Sequence, residues 1–244
     1  MFARIAPRYD LMNALMTGGR DQAWRRTAAR LGAPAPGGLV LDLATGTADL
    51  ALAFLAETGA RAVVGLDFVE EMLGLARRKL AARGERRIHL VAGDALALPF
   101  PAGAFACVAS AFLLRNLADL RAGLAEMRRA TAPGGSVVAL EITQPTLPGW
   151  RTAFRLYFHH LVPAIGGLVA RDRAAYTYLP RSVERFVTPR ELAGLMEGVG
   201  LRDVRWVRVG LGTVTIHVGR VPSELQHQTA EREHPKDGHE ARHR

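Results

Sequence analysis

Apolar residues along the chain follow two alternating rhythms. Short continuous runs bounded by glycine, proline or polar residues predict buried strands at 39–43, 62–66, 87–92, 105–110 and 136–142. Between them the spacing becomes helical, most clearly over 69–83, where Val69, Met72, Leu73, Ala76 and Leu80 recur at i, i+3, i+4, i+7 and i+11. Another helix is announced at Thr188-Pro189-Arg190-Glu191, which offers an N-cap, a proline at the first helical position and a capping-box glutamate, and it should stop near Gly198-Val199-Gly200. Beyond it "LRDVRWVRVG" and "GTVTIHVGR" predict two strands joined by a tight glycine turn, so the sheet should end in a hairpin and contain an antiparallel strand. Strands alternating with helices predict an α/β domain, a mostly parallel sheet with helices on both faces. From Pro222 onward the chain is polar without an apolar period, and 221–244 is expected to be a disordered tail.

Composition narrows the picture. A chain of 244 residues, 49% hydrophobic, can bury one sizeable core and fits a single enzyme-sized domain. The lone cysteine, Cys107, lies in an apolar run, so neither a disulfide framework nor a cysteine metal site is available, and no ligand cluster suggests a metal. No stretch reaches the ~20 apolar residues needed to span a bilayer, and the start "MFARIAPRYD" has no hydrophobic signal region, so a cytoplasmic protein, at most peripheral at the inner membrane face, is expected. The formal charge of +9 comes from the body, which holds a net +10, because the tail 221–244 has four basic and five acidic residues. It is scattered as Arg20, Arg25, Arg26, Arg77, Arg78, Lys79, Arg128 and Arg129, interleaved with alanine and glutamate, which suits solvated helix faces first, lipid headgroups second and nucleic acid last. No aromatic-interleaved basic strand supports a nucleic-acid partner.

The candidate chemistry begins with "LDLATGTADLA", residues 41–51, where Asp42 closes an apolar strand and a loop of small residues, Ala44-Thr45-Gly46-Thr47-Ala48, opens a helix at Asp49. This is where an open α/β sheet binds a nucleotide-like ligand. A dinucleotide loop needs G-x-G-x-x-G, and the matching positions here are Ala44, Gly46 and Asp49, so a carboxylate would face the phosphates. A ligand with a sulfonium and a free amino group would instead welcome Asp42 and Asp49 beside an approachable backbone; S-adenosyl-L-methionine is such a ligand. Asp67 ends the second strand about twenty residues beyond Gly46, where a carboxylate can accept both ribose hydroxyls. Asp94-Ala95 ends the third, where a carboxylate can receive an adenine amine while the next backbone N–H meets a ring nitrogen. Each aspartate alone reads equally well as a turn or cap residue; together they point to the methyl donor.

These residues resemble the class I methyltransferases, and within them the menaquinone and ubiquinone C-methyltransferases of the UbiE/COQ5 type. The resemblance covers about residues 2–220 and rests on "FARIAPRYDLMNALMTGG", "LDLATGTADLA", "DALALPFPAGAF", "LLRNLADL", "PGGSVVALEITQP", "YFHHLVPAIGGLVARDRAAYTYLPRSV" and "GLGTVTIHVG". It implies a Rossmann-like seven-stranded sheet with one antiparallel strand, a methyltransferase domain over 1–220, a helical lid over 1–35 and a helical cover over 145–187. Thr47, Asp67, Asp94 and Ala95 match the family's donor-contacting positions; Phe68, next to Asp67, is counted with them, and Tyr9 with Asp10 matches a pair that caps the donor pocket. Two departures stand out. The family's glycine after the loop threonine is Ala48, and its Ser-Phe-Gly-Leu-Arg-Asn segment reads Ala111-Phe112-Leu113-Leu114-Arg115-Asn116, which removes the strand-end serine unless Ser110 substitutes through a bulge.

The implied activity is methyl transfer to a ring carbon of a prenylated quinol, demethylmenaquinol first, with the 2-methoxy-6-polyprenyl-1,4-benzoquinol step of ubiquinone synthesis, or another small molecule on the same fold, as alternatives. Such a site must favour a phenolate and accept a ring proton. Arg115 could stabilise the oxyanion, Asn116 orient the ring oxygen and His160 take the proton; a structural link for Arg115 and a packing role for His160 are the competing readings. Tyr176 and Tyr178 could hydrogen-bond the ring or only pack. A helix around 150–169, carrying Trp150, Phe154, Tyr157, Phe158, Leu161, Val162, Ile165 and Leu168 with Arg151 and Arg155, reads as core or as an apolar lid meeting the membrane surface.

Overall fold

The computed structural model describes residues 9–162 and 173–223, with the side chains at positions 9, 10, 12 and 173–178 outside that description. In chain order the elements are α1 (Tyr9–Thr17), α2 (Asp21–Gly32), β1 (Leu39–Leu43), α3 (Asp49–Glu57), β2 (Ala62–Asp67), α4 (Glu70–Arg83), β3 (Ile88–Ala92), β4 (Phe105–Ala111), α5 (Leu120–Ala130), β5 (Thr131–Ile142), α6 (Pro148–Leu156), α7 (Arg173–Arg185), α8 (Pro189–Gly198), β6 (Arg202–Val209) and β7 (Val214–Arg220). The seven strands form one sheet of order β3-β2-β1-β4-β5-β7-β6. β7 runs against both its neighbours and every other pairing is parallel. The expected α/β architecture is therefore the one observed.

Two apolar layers sandwich the sheet. Val40, Val63, Cys107, Val138 and Ile216 pack with Ala28, Ala29, Phe54 and Leu80 on one face. Leu41, Leu43, Val108 and Ala139 pack with Leu124, Met127, Leu192 and Met196 on the other. Alternation along β1 thus sends Leu41 and Leu43 to the second face and Asp42 to the first, where α2 and α3 lie. α8 starts as its sequence announces: the Thr188 hydroxyl accepts the Glu191 N–H and the Glu191 carboxylate accepts the Thr188 N–H.

Three elements differ from the sequence pattern. β5 starts at Thr131, ahead of the apolar run, and absorbs Pro133-Gly134-Gly135 at a register shift opposite Phe105 and Cys107. A Cβ at Gly135 would lie 2.8 Å from the Ala106 carbonyl oxygen, so only glycine lets the strands close there. The hairpin turn is a short 3-10 turn, Gly210–Gly212, whose centre, Leu211, takes a φ of 57°. The helix expected around 150–169 is not continuous over its described part: α6 ends at Leu156 and Tyr157–Leu161 form a π turn, closed by the Val162 N–H on the Tyr157 carbonyl. The wider turn carries Phe158 onto Phe154, ring centres 4.3 Å apart, and lets the Tyr157 hydroxyl donate to the Met16 carbonyl at 2.9 Å. The Trp150 indole donates to the Leu211 carbonyl at 3.0 Å, so the cover is pinned to both α1 and the hairpin. The tail beyond position 223 lies outside the described residues.

Leu211 combines a left-handed backbone with a side chain 72% exposed, so it carries strain without much burial in return. Leu211→Gly should raise stability by about 1 kcal/mol and the melting temperature by a few degrees, read by calorimetry against the wild type.

Candidate active site

β3, β2, β1 and β4 end side by side, and the chain reverses its lateral course at β1, with β2 and β3 to one side and β4 and β5 to the other. That reversal opens a crevice beyond the strand ends. Asp42, Asp67 and Asp94 stand at or just past the ends of β1, β2 and β3, so the topology brings together the three carboxylates expected from the sequence.

Asp42 is 1% exposed. Its Oδ2 accepts the Thr45 hydroxyl at 2.7 Å and the Ala51 N–H at 3.1 Å, while Oδ1 is buried and takes no hydrogen bond. Burial pushes this carboxyl up to about 7, against the Thr45 hydrogen bond, the positive charge of Arg25 and the Ala51 N–H. The loop it anchors turns through Ala44, Gly46 and Ala48 at φ 52°, 57° and 69°. Ala48 is fully buried in the core beneath the loop, so its methyl, the departure from glycine, is absorbed on the protein side. Gly65 of β2 keeps the loop close: a Cβ there would meet the Thr45 hydroxyl at 2.8 Å.

Asp49 and Lys79 form an ion pair at 2.7 Å, and the Lys79 ammonium also donates to the buried Thr47 hydroxyl at 3.3 Å. The charge that the sequence argument set against a diphosphate is therefore shared with a cation from α4, and Lys79, grouped above with solvated helix faces, turns inward. Asp67 accepts the Gly46 N–H at 2.8 Å on one oxygen and the Val69 N–H at 2.9 Å on the other. Burial raises its pKa, and these backbone bonds with that of Phe68 oppose the rise. Three backbone donors leave the carboxylate an acceptor position for a ribose hydroxyl. Phe68 beside it exposes 78% of its surface, a bare aromatic face at the strand end. Asp94 spends Oδ1 on the Leu96 N–H at 2.9 Å, and Ala95 is buried next to it.

On the acceptor side, Arg115 lies in a 3-10 turn, Leu114–Asn116, just past β4. Its terminal nitrogen donates to Glu141 Oε2 at 2.8 Å, and Glu141 Oε1 accepts the Leu114 N–H at 2.6 Å. Glu141 is fully buried; desolvation raises its pKa, and the Arg115 charge and hydrogen bond pull it back. The Arg115 Nε is buried without a partner. Asn116 donates to the Phe112 carbonyl at 3.0 Å and so supports Phe112, a non-glycine residue at φ 63°. Guanidinium carbons of Arg25 and Arg115 lie 5.4 and 5.6 Å from the Phe112 ring centre.

Ser110 is fully buried, and β4 pairs regularly with β1 and β5 through it, so the bulge that would carry its hydroxyl to the strand end is not there. His160 is exposed in the π turn with no hydrogen bond to another described residue, whereas His159 pairs with Glu184 at 2.8 Å. α7 packs against both the Arg115 turn and the π turn, which sets the cover against the β4 end of the crevice. The side chains of Tyr9, Asp10, Tyr176 and Tyr178 lie outside the described residues. Sequence reasoning missed Glu141, Lys79 and Arg25. A signal existed for Glu141, the single charge inside the apolar run 136–142.

Comparison with known proteins agrees with this geometry. The model of the ubiE/COQ5 methyltransferase family matches residues 1–221. The chain is 45% identical over 222 residues to demethylmenaquinone methyltransferase of Thermus thermophilus, covering 91% of this chain and all of that one. It is 41% identical over 221 residues to the ubiquinone/menaquinone biosynthesis C-methyltransferase UbiE of a Geobacter species, covering 90% and 94%. A solved SAM-dependent methyltransferase from Aquifex aeolicus superposes with a TM-score of 0.60 at 17% identity, covering 87% of this chain and 97% of that one, which is a likeness of fold.

The raised Asp42 pKa has a stability consequence. Because the folded state holds this proton more tightly than the unfolded chain, Asp42 favours folding fully below the unfolded value near 4, and the contribution is lost as pH rises to about 7. Asp42→Asn should flatten that decline in ligand-free protein, gaining at least about 1 kcal/mol over wild type at pH 8, as read from denaturant melts between pH 4 and 8. Parallel pH curves for the two proteins would contradict the assignment.

Proposed function

Because the chain belongs to the ubiE/COQ5 methyltransferase family, we propose that the crevice transfers a methyl group from S-adenosylmethionine to a ring carbon of demethylmenaquinol, the reaction named for its relatives. The donor, when bound, supplies an electrophilic methyl on a sulfonium. The residues present fit it: an orphaned carboxyl oxygen on Asp42, acceptor positions on Asp67 and Asp94, and a bare aromatic face on Phe68. The Asp49 charge, already paired with Lys79, contributes through the Thr47 hydroxyl network rather than alone.

The observation that carries the acceptor reading is the buried Arg115–Glu141 pair. Glu141 fixes one edge of the guanidinium and leaves the Nε hydrogen unspent beside the strand end. A quinol oxygen there would lose its proton more easily, because its negative charge would meet a desolvated cation. The ring carbon then bonds to the methyl carbon as that carbon leaves sulfur, and the displaced ring hydrogen departs as a proton. His160, unpaired on the cover, is the candidate acceptor of that proton. Asn116 acts through Phe112, whose carbonyl it holds.

The prenyl tail of such an acceptor needs an apolar exit. Leu147, Leu156 and Leu161 are 69%, 57% and 50% exposed on the cover, with exposed Arg151 and Arg155 beside them, a composition suited to brief contact with an anionic membrane surface. Among the described residues no helix is long and apolar enough to cross a membrane.

Label from S-adenosylmethionine should enter menaquinone when chemically reduced demethylmenaquinone is supplied in detergent, in excess over label in the methoxylated benzoquinol precursor of ubiquinone; the reverse ratio would move the protein to the other pathway. Arg115→Gln should lower kcat by about 10²-fold or more with donor affinity unchanged. Leu156→Ser with Leu161→Ser should impair long-tailed acceptors more than short-chain analogues, and equal loss on both would remove the membrane-contact reading.

A further inference from the structure

Arg25, on the second turn of α2, is only 6% exposed. Its Nε is buried without a partner, its nearest acidic oxygen is Asp21 Oδ2 at 3.6 Å, beyond hydrogen-bond reach, and no described residue accepts a hydrogen bond from its guanidinium. The Phe112 ring beside it attracts the charge but offers no lone pair in the plane of the fork. A nearly buried guanidinium whose Nε donor is unmet is costly, so the fold keeps it for an acceptor that arrives with a ligand.

Its place decides which one. α2 packs on the sheet face that Asp42 looks toward, and Arg25 is close enough for its charge to act on Asp42. Asp42 Oδ1 is likewise buried without a partner, as are Ser110 Oγ and Arg115 Nε near the ends of β1 and β4. An unmet guanidinium N–H and an unmet carboxyl oxygen, close enough for the one charge to act on the other, complement the amino-acid end of the methyl donor, an ammonium and a carboxylate on one carbon. We propose that Arg25 receives the α-carboxylate of S-adenosylmethionine through its planar fork, a geometry that lysine cannot reproduce. This rests on the reading of the crevice as a methyl-donor site. The other anion that could reach Arg25 is the phenolate oxygen of the acceptor, since Arg115 stands against the same Phe112 ring.

The test is calorimetric binding to the full chain, without acceptor, of S-adenosylmethionine, of decarboxylated S-adenosylmethionine, which keeps the sulfonium, ammonium and adenosine, and of methylthioadenosine, which lacks the amino-acid end. Wild type should prefer the carboxylated donor by about 10- to 100-fold. Arg25→Gln should abolish that preference and Arg25→Lys retain part of it, both binding methylthioadenosine within about twofold of wild type, which also certifies that they fold. A preference that persists in Arg25→Gln overturns the inference and leaves the methyl-donor reading intact, as does equal weakening of all three ligands. Unchanged donor binding with a raised KM for the quinol would assign Arg25 to the acceptor instead. Failure of wild type to bind S-adenosylmethionine at all would overturn both.

Discussion

Carboxylates withdrawn from water at the ends of parallel strands set the terms for the whole crevice. A buried carboxylate must find donors, and the nearest donors are the backbone N–H groups of the loops that leave those strands. Asp42 takes Ala51, Asp67 takes Gly46 and Val69, and Glu141 takes Leu114. Each loop is thereby fixed by a carboxyl group that the fold has buried. The raised pKa values of all three show that burial outweighs these bonds, so the corner is held in a state that cationic partners improve. Arg115 is such a partner for Glu141 within the chain. For Asp42 the nearest positive charge is Arg25, which has needs of its own.

Phe112 stands beside both arginines at this end of the sheet. It sits at φ 63°, is held by Asn116 through its carbonyl, and places one ring against the guanidiniums of Arg25 and Arg115. A left-handed backbone at a bulky residue costs about 1–2 kcal/mol, and at strand ends such strain accompanies function. The electron-rich ring attracts both of these like charges.

Closure of the site is built from single bonds between distant segments. Tyr157 reaches the carbonyl of Met16, Trp150 reaches that of Leu211, and α7 bridges the Arg115 turn and the π turn. Phe154, Val162 and Val183 are buried in these segments, while Leu147, Leu156 and Leu161 remain exposed.

How much of this was legible beforehand depended on range. The strands, α4, the capping box of α8, the terminal hairpin and the three strand-end aspartates follow from periodicity and from short signals within a few residues, because alternation and capping are local physics. Asp42 could be placed at a strand end from the sequence, and its neighbours on β1 settled which face it takes. What the sequence could not reveal is which charges turn inward. Lys79 and Arg25 look like any cations on helix faces, and only packing of α4 and α2 against the sheet places them beside Asp49 and Asp42. The burial of Ser110, the core-facing methyl of Ala48 and the break of the cover helix at Tyr157 have the same origin. The chain's own pattern thus determined the sheet, its direction and the carboxylates along its edge. Tertiary structure decided their partners and protonation, because desolvation and ion pairing depend on what covers a group, and that covering comes from residues far away in the sequence.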